Sequence, residues 1–175
     1  MILLISTCKE KLHELEFVKP IKDIVGKKCF VKKYDEITQE DLQKADKVII
    51  SGTSLRDNEV LENLSCFGWL KDFNKPVFGI CAGHHAIQLI FGAKLMKIQE
   101  FGVVDVDFEK NFFGLIDKEK VYSLHGRFSL SPEFEIYARS EECVHAVKHK
   151  DKEIYSVLFH PEVYNKEVLE RFCEL

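Results

Sequence analysis

Val77-Phe78-Gly79-Ile80-Cys81-Ala82-Gly83-His84-His85 is the stretch on which the fold turns. Pro76 to Ile80 is a short apolar run that reads as a buried strand, and Ala82 to Phe91 reads as a helix closed by Gly92. Between them sits Cys81, with glycine two residues away on either side. That is the Gly-x-nucleophile-x-Gly spacing of a nucleophile elbow. The spacing has a steric reason: a strained turn brings strand and helix so close that the neighbours must lack side chains. The helix N-terminus would add partial positive charge and free N–H groups, which favour a thiolate. The N–H of Ala82 is a natural oxyanion donor. The plainer alternative is a tight strand-to-helix turn around an inert buried cysteine.

Outward from this segment, the chain alternates strand and helix. Met1 to Ile5, Cys29 to Val31 and Lys47 to Ile50 read as short apolar strands. Leu12, Leu15, Val18, Ile21 and Ile24 recur at roughly helical spacing before Gly26, with a kink or break expected near Pro20. A short polar helix begins at Asp41-Leu42, and Glu59 to Phe73 is expected to be helical. Continuous apolar strands alternating with helices imply a parallel sheet covered on both faces. After Gly92 the pattern changes to strands at 94–98, 103–108, 121–124, 134–139, 145–149 and 154–159, an antiparallel or mixed part. A helix over about 166–173 closes the chain. No repeat or long linker divides it, so residues 1–175 read as one domain.

Composition narrows the function classes. At 46% hydrophobic and 31% charged, the 175 residues can bury a core, which excludes a disordered or low-complexity segment. No apolar run approaches the ~20 residues of a membrane span. Met1 to Ile5 is too short for a signal-peptide core, so a cytoplasmic protein is expected. A net charge of −4 argues against a nucleic-acid footprint. The six cysteines are scattered and read as reduced thiols. Cys143, His145 and His149 are a possible ligand set. On one strand, however, they would extend over roughly 20 Å, which opposes a shared ion. Aromatic pairs at Phe112-Phe113 and Phe67-Trp69 read as core or as a partner surface.

A cysteine nucleophile needs a base. Phe159-His160-Pro161-Glu162 follows the last strand, so His160 falls at a strand end, where parallel-sheet sites gather. Glu162 could hold the imidazole in one tautomer. A surface loop with a stray His and Glu is the bland alternative.

Taken together, Gly-Ile-Cys-Ala-Gly-His-His and Phe-His-Pro-Glu-Val resemble the class I, triad-type glutamine amidotransferases. Their patterns are Gly-x-Cys-x-Gly-x-Gln and Phe-His-Pro-Glu. Phe91-Gly92-Ala93-Lys94-Leu95, Ile136 to Cys143 and Ala146 to Lys150 look most like the separate glutaminase subunit of archaeal GMP synthases. The resemblance runs from about Lys47 to Phe172. It implies a flavodoxin-like α/β/α sandwich with a mostly parallel sheet and a small additional antiparallel sheet. It also implies hydrolysis of the L-glutamine side-chain amide, with Cys81 attacking, His160 moving the proton and Glu162 orienting it. Gly52, Thr53 and Ala82 would form the oxyanion site. Ammonia would pass to a synthetase partner in purine biosynthesis, and no metal or organic cofactor is implied.

Four positions depart from the family pattern. His85 replaces the substrate-contacting Gln, and Thr53-Ser54 replaces Gly-Pro. Leu124 precedes His125 where Ser is usual, and Arg127 replaces Asp. Gln88, one turn beyond His85, could reach the same face or serve packing, and Arg127 could pair with a substrate carboxylate. His85, Gln88, Leu124, His125 and Arg127 are the expected substrate-side residues. Two other readings stay open. One is a thiol hydrolase of another γ-glutamyl or related amide. The other is a regulatory binding module that keeps the triad without turnover.

Overall fold

The computed structural model describes residues 1–175. Nine strands form one continuous sheet: β1 (Ile2–Ser6), β2 (Cys29–Lys33), β3 (Lys47–Ile50), β4 (Val77–Ile80), β5 (Glu100–Phe112), β6 (Leu115–His125), β7 (Phe134–Arg139), β8 (Val144–His149) and β9 (Ile154–Val157). Their order is β2-β1-β3-β4-β9-β8-β7-β5-β6. The pairs from β2 to β9 are parallel, and those from β9 to β6 are antiparallel. The antiparallel part is therefore not a separate layer. It grows from β9, which runs parallel to β4 on one side and antiparallel to β8 on the other.

The helices are α1 (Lys11–Phe17), α2 (Lys19–Val25), α3 (Gln39–Lys44), α4 (Glu59–Glu62), α5 (Ala82–Ile90) and α6 (Glu167–Glu174). Side chains alternate across a strand, so each buried strand feeds both faces of the sheet. Leu4, Ile49 and Phe78 pack with Phe17, Ile21, Leu169 and Phe172 from α1, α2 and α6. Leu3, Ile5, Ile50 and Val77 pack on the other face with Phe67, Leu70 and the α5 residues Ala82, Ala86 and Ile87. This is the three-layer α/β/α arrangement. No helix is long and apolar enough to cross a membrane.

The break expected near Pro20 is present and falls at Val18, which separates α1 from α2; Pro20 sits in the first turn of α2, where its missing N–H costs nothing. Several elements differ from expectation, each for a local reason. The segment 59–73 is not one helix. The Asn63 side chain donates to the Glu59 carbonyl at 2.9 Å, and the chain tightens into a 3-10 turn over Leu64–Lys71. The segment 94–98 forms no strand: only Met96 bridges Phe128, and Lys94, Met96 and Lys97 face solvent. β5 and β6 are much longer than expected. They join at Phe113-Gly114, both at positive φ (50° and 93°), which matches hairpin twist. Phe112 and Phe67 are buried, and Phe112 packs in an aromatic group with Phe78, Phe113 and Tyr155, so neither is a partner surface.

Candidate active site

Cys81 stands between β4 and α5 with φ 47° and ψ −98°, one of three non-glycine residues at positive φ. A strained position of this kind persists only where its surroundings impose it. They do so here. A Cβ on Gly83 would lie 2.4 Å from the Ile50 carbonyl oxygen, and one on Gly79 would lie 2.9 Å from the Gly83 backbone. The two glycines let α5 descend onto β3 and β4, and that contact forces the turn at Cys81. Its N–H is tied to the Val157 carbonyl at 2.9 Å, so β9 holds the elbow from the other side.

His160 and Glu162 reach this point from the end of β9. His160 Nδ1 meets Glu162 Oε1 at 2.8 Å, and both side chains are buried. The His160 N–H donates to the Tyr122 carbonyl at 2.8 Å, and Phe17 packs against the ring. A Cβ on Gly52 would lie 2.7 Å from His160 Cε1 and 3.5 Å from Cys81 Cβ, so the two side chains close on the same small space. Burial alone would keep the imidazole neutral. The negative charge of Glu162 and the nearby Cys81 sulfur outweigh it, helped by the Glu162 hydrogen bond, and hold His160 well above its ordinary value of 6.5. The Cys81 thiol also faces the Leu124 carbonyl at 3.6 Å.

Ser51 to Ser54 forms the opposite lip. The Ala82 and Thr53 N–H groups are engaged by no other backbone group. The lip is braced from both sides. Thr7 Oγ1 donates to the Ser51 and Gly52 carbonyls at 3.0 and 2.9 Å. Thr53 Oγ1 donates to Asp57 at 2.8 Å, and Asp57 also takes the Lys9 N–H at 3.2 Å and meets His13 Nδ1 at 2.7 Å. Burial works against the Asp57 charge, but the hydrogen bonds from His13, Thr53 and Lys9 hold its carboxyl below the usual range. Sequence reasoning missed Asp57, His13 and Thr7, because none of them stands in a motif.

A cleft of about 220 Å³ opens over Cys81, smaller than the ~300–1,000 Å³ of drug-sized pockets. Thr53, His85, His125 and Arg127 line it, with apolar walls from Leu61 and Phe101. His85 Nδ1 bonds Ser129 Oγ at 2.7 Å. Burial, then the charges of His84, His125 and Arg127, push His85 well below its ordinary value, so it faces the cleft neutral. Gln88 does not reach this cleft. It is fully buried, takes the Ser131 N–H at 2.8 Å and donates to Ser156 at 3.3 Å, which ties α5 to the turn before β7. Leu124 does not line the cleft with its side chain and offers the thiol only its carbonyl.

The remaining histidines divide. His149 packs between Phe91 and Phe134, away from Cys143 and His145. Strand spacing thus separates His149 correctly but misleads for the other two. His145 Nε2 lies 2.6 Å from Glu100 Oε2, and Cys143 Sγ lies 3.3 Å from the same atom, together with His125. Spacing along one strand could not show partners arriving from β5 and β6.

Fold and site together define an α/β protein with a cysteine on a strained strand-to-helix turn and a His-Glu pair delivered beside it. The family described as Glutamine amidotransferase class-I matches residues 24–173, and the chain belongs to that family. It is 34% identical over 145 residues to the glutamine-hydrolysing GMP synthase subunit of Pyrococcus abyssi, covering 73% of this chain and 74% of the relative. It is 35% identical over 148 residues to the protein of the same name from Methanocaldococcus jannaschii, covering 78% and 77%. A crystal structure described as that of a GMP synthase subunit from Thermoplasma acidophilum superposes with a TM-score of 0.85 at 26% identity, covering 99% of this chain and 92% of that one. A glutamine amidotransferase from Thermotoga maritima, at 18% identity and a TM-score of 0.70, covering 99% and 81%, shares the fold.

Proposed function

We propose that the chain hydrolyses the side-chain amide of L-glutamine and supplies the ammonia to a synthetase partner that makes GMP in the cytoplasm. One observation carries this reading: Cys81, at positive φ on the elbow, faces the buried His160–Glu162 pair across Gly52. The Cys81 sulfur attacks the carboxamide carbon. The oxyanion that forms accepts hydrogen bonds from the Ala82 N–H and from the Gly52-Thr53 turn, where one such donor lowers the barrier by ~3 kcal/mol. Protonated His160 gives its proton to the leaving nitrogen, the C–N bond breaks, and ammonia departs from a glutamyl thioester. His160 then takes a proton from water, the hydroxide attacks the thioester, and the C–S bond breaks. Glutamate leaves, and the thiolate and imidazolium are restored. Glu162 holds the Nδ1–H throughout, so that Nε2 faces the reaction.

The substrate side rests on Arg127, for the α-carboxylate, and on neutral His85. His85 in place of the family's Gln favours one rival, a thiol hydrolase of another γ-glutamyl amide. Incubation with L-glutamine and with diazo-oxo-norleucine separates the readings. Ammonia release with labelling of Cys81 is the expected result, rising when the synthetase partner is added. Labelling with turnover only on other γ-glutamyl amides would favour the rival. A folded sample that is neither labelled nor active would overturn both and leave a binding module.

A further inference from the structure

Behind the cleft wall, four side chains converge, and of these only His125 also lines the cleft. Glu100, His125, Cys143 and His145 each offer one ligand atom, and these atoms lie within 4.8 Å of one another. All four residues are buried, His125 and His145 almost completely (1% and 0% exposed). Three contacts fall on a single atom: Glu100 Oε2 is 2.6 Å from His145 Nε2, 3.1 Å from His125 Nε2 and 3.3 Å from Cys143 Sγ. The Nδ1 atoms of both imidazoles have no hydrogen-bond partner.

The donors come from separate parts of the chain. Glu100 and His125 face each other in register across β5 and β6. His145 stands on β8. Cys143 is set by the turn before β8, where Ser140 Oγ accepts its N–H at 3.2 Å. Three donors share one carboxylate oxygen, and the two Nδ1 atoms beyond them are buried with no partner, a costly arrangement. Two imidazoles, one thiolate and one carboxylate are instead a ligand set that zinc takes in four-coordinate tetrahedral sites. The charges also close: a thiolate and a carboxylate neutralise a divalent cation, and the imidazoles bind uncharged.

We propose that Glu100, His125, Cys143 and His145 form a closed structural site for a divalent cation of the zinc class. On binding, the Cys143 thiol releases its proton to solvent, and each of the four residues gives one bond to the ion. With bonds of ~2.0–2.3 Å the donors stand ~3.5 Å apart, so Glu100 Oε2 retreats slightly and the outer donors draw in by about an ångström. The ion fastens the start of β5, the end of β6 and the turn before β8 to one another. Through His125 it steadies the His125-Gly126-Arg127 wall of the cleft.

The test uses the whole chain stripped by a chelator and then titrated with Co(II), which reports its ligands by absorption. The expected result is one ion per chain, with the visible bands of tetrahedral cobalt and the near-ultraviolet band of a cobalt–thiolate bond. Zinc then displaces the cobalt and raises Tm. Cys81→Ala should bind equally well, which separates this site from the catalytic thiol. Cys143→Ser should abolish the thiolate band and weaken binding by more than the ~10–100-fold that loss of an outer-shell partner costs. The wild-type spectrum stands as the primary readout whether or not Cys143→Ser folds. No uptake from equimolar metal, or a thiolate band that Cys81→Ala removes, would overturn the proposal. None of these readings requires turnover of glutamine.

Discussion

The parallel half of the sheet and its antiparallel extension have different jobs. In the parallel half, β1, β3, β4 and β9 are nearly continuous apolar runs, buried on both faces. Their C-terminal ends carry Gly52, Cys81 and His160, which close packing holds together with a few short hydrogen bonds from Thr7, Val157 and Glu162. The extension is built from long alternating strands with exposed faces, and its polar groups are held by hydrogen bonds from distant segments. It supplies His125 and Arg127 to the cleft. The difference teaches that the strand ends around Cys81 are set by close packing on a rigid layer, with short local hydrogen bonds added, whereas the surrounding wall depends on side-chain networks that reach across the sheet. Changes in the first half should therefore strike kcat, and changes in the second should strike KM or stability.

The sharpest way to break this division is at the elbow. Cys81→Ala should lower glutamine turnover by ~10⁶-fold and Glu162→Gln by ~10⁴-fold, as losses of triad members do, with little change in KM. Steady-state ammonia release checks both. Gly52→Ala comes next. The new methyl group would meet His160 Cε1 at 2.7 Å, and shifting the ring should cost about 100-fold in kcat in a folded protein. An unaltered kcat would mean that the contact does not position the imidazole. On the other side of the comparison, Arg127→Ala should raise KM by roughly 10-fold, the equivalent of one lost substrate hydrogen bond, and leave kcat nearly intact. Gln88→Ala, outside the cleft, should leave KM unchanged and cost about 1–3 kcal/mol in denaturant unfolding, because the Ser131 N–H loses its acceptor.

The pH dependence of stability sharpens the same point. The folded value of His160 is raised above 6.5, so the protonated ring adds stability that is fully present below 6.5 and is lost as pH rises through the folded value. The Tm advantage of the wild type over His160→Gln should be larger just below pH 6.5 than in alkaline buffer. An advantage that grows with pH would reverse the sign of this coupling.

The strand-helix order of the parallel half was legible because apolar runs, Gly79, Gly83 and Gly92 mark it within short windows. Cys81 and His160 were legible as a pair for the same reason, since each ends a buried strand. The lip anchor at Asp57 was not, because its partners Lys9 and His13 lie more than forty residues upstream and no local spacing joins them. Glu100 escaped for the same reason: its meaning comes from His125, Cys143 and His145, which a hairpin and a turn bring to it. The long β5–β6 hairpin was underread because the charged residues on its exposed face, from Asp105 to Lys120, mask the alternation.

The central claim is that the Cys81 sulfur and the His160 imidazole share one electrostatic site. An NMR titration of the His160 ring in the wild type and in Cys81→Ala addresses it without any substrate. The pairing predicts that wild-type His160 keeps its proton well above pH 6.5 and that removing the sulfur moves the titration down. A ring that titrates at or below 6.5, and is indifferent to Cys81→Ala, would contradict it.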